Sequence, residues 1–209
     1  MKYKLSNIAS KTLIEDFTKL KLKYPNIYKP KRNIDGLKEQ NVSIISMDNP
    51  NEITQAIWGI LPQNFEHSWK TFQKIKSTIH TDKSELFNNV LYEEALFNRR
   101  CLVIATGFYT YQVHETKIRK YLVERNDRQP FYLAGIYNVT EDGFTTCTII
   151  NTEAEEELKT YHNIYNSMPL PIPKIFKNIW LDKETDLENL QFILSKPYLS
   201  NFTMQKIFI

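Results

Sequence analysis

Glycine is scarce in this chain, at five residues in 209, and nine prolines do not raise it to a low-complexity composition. That excludes a disordered or repetitive polymer, and no internal repeat or linker-like stretch divides the sequence. Cysteine is scarcer still. Cys101 and Cys147 lie far apart in apolar runs, without the Cys-x-x-Cys spacing of a zinc site. They read as small buried hydrophobes with free thiols. Long apolar stretches are missing too, because charges interrupt every hydrophobic run, so nothing spans a bilayer as a helix. The N-terminus, Met1-Lys2-Tyr3-Lys4-Leu5, lacks the apolar core of a secretion signal, and a cytoplasmic protein is expected. A large charge of one sign is likewise absent. The net charge of +3 is too small to argue for nucleic acid by itself.

What is present is a core. Hydrophobic residues make up 42% of the chain and aromatics 13%, enough to bury one sizeable domain over residues 1–209. The first forty residues hold ten Lys or Arg against four acids. A phosphate-facing surface and a solvated lysine-rich helix and loop explain that local excess equally well. The organising stretch is Arg99 to Tyr111. Cys101 to Ala105 reads as a strand covered on both faces, Thr106-Gly107 as a turn, and Phe108, Tyr109 and Tyr111 as the start of a second strand.

Other elements follow from local chemistry. Ser10 caps a helix with Leu13, Ile14, Phe17 and Leu20 on one face. Val42–Met47 and Ile53–Leu61 are strands around an Asp48-Asn49-Pro50-Asn51 turn. Asp82 with Glu85 forms a capping box for a helix burying Leu86, Phe87, Val90, Leu91 and Phe97, and Thr152 with Glu155 forms another. A hairpin turns through His114-Glu115-Thr116-Lys117. Further strands cover Gln129–Tyr137, Phe144–Ile150 and Met204–Ile209.

The order of certain residues goes further than periodicity. Arg100-Cys101-Leu102-Val103 with Ala105-x-Gly107-Phe108-Tyr109, Trp58-Gly59 with Pro62, Gln129-Pro130-Phe131 with Ala134-Gly135, and Met168-Pro169 with Trp180-Leu181 occur in one unbroken sequence. Together they resemble the SRAP family, the SOS-response-associated peptidases or abasic-site-processing proteins. The resemblance implies an α+β fold: a single domain with a curved, mainly antiparallel, barrel-like β-sheet and peripheral helices.

It also implies a chemistry. Family members lose Met1 and expose a cysteine, whose thiol and α-amine close a stable thiazolidine on the aldehyde of an abasic site in single-stranded DNA. This chain has Lys2 in that place. The family's Asn-x-Arg falls on His80 and Asp82, its glutamate on Thr110, and the histidine and arginine before Met-Pro on Tyr165 and Ser167. Thr106 replaces an aspartate, and Lys4 alone keeps a basic residue near the start. Hence the positions matching the family's catalytic residues are Lys2, His80, Thr110 and Tyr165, all substituted. His162 is expected on the surface at a helix end.

Three functions compete. A non-catalytic relative would hold single-stranded DNA weakly through Lys4, Phe65 and Trp69, by phosphate attraction and stacking. A scaffold on the same fold would bind a protein partner instead. A third route keeps aldehyde chemistry through an imine on Lys2 or the N-terminal amine. No cofactor, metal or membrane is called for, and a monomer is expected.

Overall fold

A computed structural model describes residues 4–195, 198–199 and 201–207. In chain order the elements are β1 (Lys4–Asn7), α1 (Lys11–Thr18), β2 (Lys21–Leu22), β3 (Lys31–Asp35), β4 (Asn41–Ser46) and β5 (Glu52–Trp58). Then come α2 (Trp69–Ile75), β6 (His80–Asp82), α3 (Val90–Asn98), β7 (Arg100–Ala105), β8 (Gly107–His114) and β9 (Lys117–Arg125). The remainder is β10 (Phe131–Val139), β11 (Thr145–Glu153), α4 (Glu156–Lys159), β12 (Ser167–Pro169), β13 (Pro171–Ile172), α5 (Lys177–Leu181), α6 (Leu187–Ser195) and β14 (Phe202–Ile207).

The larger sheet closes on itself. Antiparallel pairing runs β11–β10–β7–β4–β5, and a short parallel pairing of Thr146 with Ile57 and Cys147 with Trp58 joins its ends. Closure removes the two open edges that these strands would otherwise present. The second sheet is antiparallel throughout, in the order β14-β9-β8-β1-β3.

The organising stretch forms β7 and β8 as expected, joined at Thr106. Alternation along β7 sends its side chains to two different cores. Leu102 and Ile104 join the cluster packed by Ile14, Phe17, Tyr92, Trp180 and Leu190 from the helices. Cys101, Val103 and Ala105 join the one that the ring shares with Leu5, Phe108 and Val123 of the second sheet. Both thiols are therefore buried and free. Burial pushes the Cys101 thiol well up.

Ser10 caps α1 as expected, accepting from the Leu13 amide at 3.1 Å. The other two capping boxes do not form. Asp82 ends β6 and makes no capping bond, while Thr81 Oγ1 donates to Glu85 Oε2 instead. The helix starts only at Val90, capped by Asn89, with Val90 exposed. Thr152 belongs to β11, and α4 begins after Glu155 without a side-chain cap. In both cases, pairing with or within β11 claims the residue before the local motif can. Lys2 and the final Phe208-Ile209 lie outside the described residues. Among the described residues, no helix is long and apolar enough to cross a membrane.

Candidate functional site

The site is built on β8. A Cβ on Gly107 would meet Leu122 Cδ1 at 2.7 Å and the Val123 carbonyl at 2.9 Å, so only glycine lets β9 approach so closely. On the other side β1 pairs with β8, Leu5 opposite Phe108 and Ser6 opposite Gly107. Thr106, where the resembled family has an aspartate, pins this junction. Its amide donates to the Ser6 carbonyl at 2.8 Å, and its Oγ1 accepts from the Ile8 amide at 3.0 Å.

Thr110 is buried on β8, and its Oγ1 has no hydrogen-bond partner among the described residues. It faces a slot with Phe108, Asn151, His162, Ser167 and Met168, whose free volume is about 10 Å³. That is about what one water molecule needs. His162 is only 4% exposed, and its Nε2 lies 3.0 Å from the Ser167 carbonyl, so Nε2–H donates. The expectation of a surface histidine is thereby corrected. The cause is non-local: Asn163 exchanges two 2.8 Å bonds with the Val113 backbone, and Gln112 donates to the Thr160 carbonyl at 2.6 Å. These contacts zip residues 160–163 onto the end of β8 and drive His162 inward. Tyr165 stays 37% exposed, its ring 6.0 Å from that of His162.

The remaining candidates take other places. His80 and Asp82 sit half-buried on β6, paired in parallel with Ile149 and Asn151. They reach the slot's neighbourhood through Asn151 and not by lining it. Lys4 lies on the opposite face of the second sheet, 3.7 Å from Asp35. Phe65 is half-buried against Phe72 and His67, at 4.8 and 5.7 Å between rings. Trp69 is buried at 5% exposure and donates to the Gly59 carbonyl at 3.2 Å, so it offers no open face for stacking. Sequence reasoning passed over Tyr109 and Lys120, which meet beside Lys4. The Lys120 ammonium lies 4.0 Å from the Tyr109 ring centroid, and the Tyr109 hydroxyl donates to the Arg32 carbonyl at 2.7 Å. The available signal was the alternation along β8, which sends Tyr109 and Tyr111 to the face away from Thr110.

Known proteins share this architecture. A structure from Bacteroides thetaiotaomicron superposes with a TM-score of 0.87 at 19% identity, covering 99% of this chain and 92% of that one. One from Bordetella bronchiseptica gives 0.81 at 14% identity, covering 99% and 100%. In sequence, the abasic site processing protein YoaM of Bacillus subtilis is 27% identical over 179 residues, 82% of this chain and 74% of that protein. The abasic site processing protein YMR114C of Saccharomyces cerevisiae is 24% identical over 140 residues, 66% of this chain and 36% of that longer one. The family model described as SOS response associated peptidase matches residues 2–208. With the closed ring, the β7–β8 stretch and its slot all in place, this chain belongs to the SRAP family.

Proposed function

We propose that the protein binds single-stranded DNA at an abasic site and does so without the durable thiol–amine crosslink. The observation that carries this reading is the fate of sulfur. Cys101 and Cys147 are the only cysteines in the chain, and both are fully buried in the core that the ring shares with the second sheet. A thiazolidine needs a thiol and an amine on one exposed residue, and neither cysteine supplies it. Thr110 cannot serve as a general acid near neutrality where the family has a glutamate. His162, held in the slot by the Ser167 carbonyl, restores an imidazole close to the substituted Tyr165. Lys4 and the half-exposed Phe65 remain as contacts for phosphate and base.

Fluorescence anisotropy with a labelled single strand bearing a tetrahydrofuran abasic analogue tests the reading. Affinity should fall as salt rises, and Lys4→Ala should flatten the log–log slope by about 0.7, one phosphate contact. Absence of binding at low salt, binding indifferent to salt, or a protein–DNA adduct that survives denaturation would each overturn it.

A second reading, a protein-binding scaffold, draws support from the flank of β4 and β5. Two cavities of about 510 and 470 Å³ share Ile27, Asn41, Gln55, Ile57 and Phe144 there. Tyr24, Ile27 and Phe144 are exposed around them. It predicts no DNA affinity and a captured partner that Phe144→Asp releases.

A further inference from the structure

The helices cover only part of the ring's outer face. Alternation puts Asn41, Ser43 and Ile45 of β4 on that face, with Ile53, Gln55 and Ile57 of β5. Ile45 and Ile53 join the core that the helices pack. Asn41 opposite Ile57 and Ser43 opposite Gln55 lie beyond it and line the two cavities of about 510 and 470 Å³. Neither cavity shares a lining residue with the slot on β8.

Three kinds of group meet there. Phe144 lines both cavities and is 58% exposed. The β10–β11 hairpin presents it: the Thr140 amide donates to the Phe144 carbonyl and the Gly143 amide to the Thr140 carbonyl, each at 2.9 Å, with Gly143 at a φ of 84°. The second kind is the side-chain amide. Gln55 Nε2 donates to Ser43 Oγ at 2.9 Å, which leaves its own oxygen as an acceptor. Gln40 Oε1, shut off from solvent on the wall of the larger cavity, has no hydrogen-bond partner among the described residues. Asn41 is exposed at the boundary of the two cavities. The third kind is the free cation. Lys29 and Lys31 line the larger cavity, exposed and without an ion pair among the described residues.

We propose that this uncovered flank is a nucleotide-binding site, separate from the slot. A base stacks on Phe144, the amides of Asn41 and Gln55 meet its edge, and Lys29 and Lys31 take its phosphate. A side-chain amide offers a donor and an acceptor side by side, the pattern that pairs with N7 and the amino group of adenine. Stacking is tolerant of the base, and lysine supplies the charge that phosphate needs. Glu39, on the same wall, opposes that charge but is outnumbered by the two lysines. Asp48, in the smaller cavity, is already held by Tyr137 and Lys183. A protein segment would seek a continuous apolar trough, whereas Phe144, Ile27 and Tyr24 stand here among amides and lysines. Two sources carry the same chemistry: a free mononucleotide, and a nucleotide of a bound strand lying away from its abasic position. Only the second rests on the reading of the protein as a strand binder.

NMR titration of the isotope-labelled full chain with dAMP, and separately with a pentadeoxyadenylate strand, tests this. With dAMP the side-chain amide signals of Asn41 and Gln55 and the backbone signal of Gly143 should move together, while the side-chain signal of Asn151 in the slot stays. Phe144→Ala, at an exposed position outside the core, should weaken binding at least about fivefold, the low end of one base-stacking contact. Movement with dAMP assigns the site to free nucleotides, and movement of the same signals with the strand alone assigns it to a strand. No movement with either probe overturns the proposal and gives the flank to a protein segment. A shift of Asn151 in place of these signals, or an affinity that Phe144→Ala leaves unchanged, overturns it too. The tetrahydrofuran strand keeps the two readings apart: if it fails to bind while dAMP binds, the functional reading falls and the nucleotide site stands.

Discussion

Arg100 is fully buried, yet its guanidinium meets backbone carbonyls and no carboxylate among the described residues. Nε donates to the Trp180 carbonyl at 2.7 Å, Nη1 to Leu96 and Phe97 at 2.7 and 2.9 Å, and Nη2 to Asp182 at 2.5 Å. Those carbonyls lie at the C-terminal ends of α3 and α5, where the helix dipoles are negative and the last carbonyls lack partners. One cation satisfies two helix ends. Burial still pulls its pKa down to about 10. Arg100→Met keeps the apolar stem and removes every donor, and should cost about 3–5 kcal/mol in urea unfolding. A cost below about 1 kcal/mol would mean that water replaces the guanidinium at no loss. The Arg-Cys pair was visible in the sequence, but its task depends on two helices that only the fold brings to it.

Among the elements, the excursion from Leu61 to Thr78 is held at its base. Thr78 Oγ1 donates to the Ile60 carbonyl at 2.6 Å, and Trp69 Nε1 to Gly59. Gly59 has φ of 115°, and a Cβ there would sit 2.5 Å from Trp69 Nε1. Gly59→Ala therefore combines a disfavoured backbone with a clash and should destabilise by about 2 kcal/mol or more. Limited proteolysis within residues 62–78 should accelerate, and Trp69 emission should shift to the red. An unchanged cleavage rate would show that the base does not hold the lobe. The same segment explains why Trp69 was misplaced as a stacking residue: an aromatic in a polar loop looks exposed until its indole finds a carbonyl. Capping motifs tell a related story. Ser10 succeeded because no strand competes for it, whereas Asp82 and Thr152 are taken by β6 and β11.

On the scale of the whole molecule, one contact ties three distant segments together. The Tyr137 hydroxyl of β10 donates to Asp48 Oδ2 at 2.6 Å in the β4–β5 turn, and Lys183 beyond α5 lies 3.2 Å from Oδ1. The Tyr137 hydrogen bond, aided by Lys183, holds the Asp48 carboxyl below the usual carboxylate range. A depressed folded pKa adds stability above the unfolded value, and that stability is lost as pH falls through the folded one. Tyr137→Phe should cost at most about 1 kcal/mol at neutral pH, since Asp48 is half-exposed and solvent-screened. The gap from the unsubstituted protein should narrow as pH drops below about 4. Unfolding curves at pH 7 and pH 3 that differ by the same amount in both proteins would refute the linkage.

The strands from β7 through β11, the Ser10 cap and the family pattern were all set by the sequence, because apolar alternation and residue order are local properties of the chain. Tertiary structure alone decided that residues 57–58 and 146–147 close a ring, that Asn163 carries His162 into the slot, and that Lys120 settles on Tyr109. Each of these joins segments that local propensity treats as strangers. Their energy comes from hydrogen bonds and a cation–π contact between segments far apart in the chain, and such a gain exists only once the fold has brought both sides together.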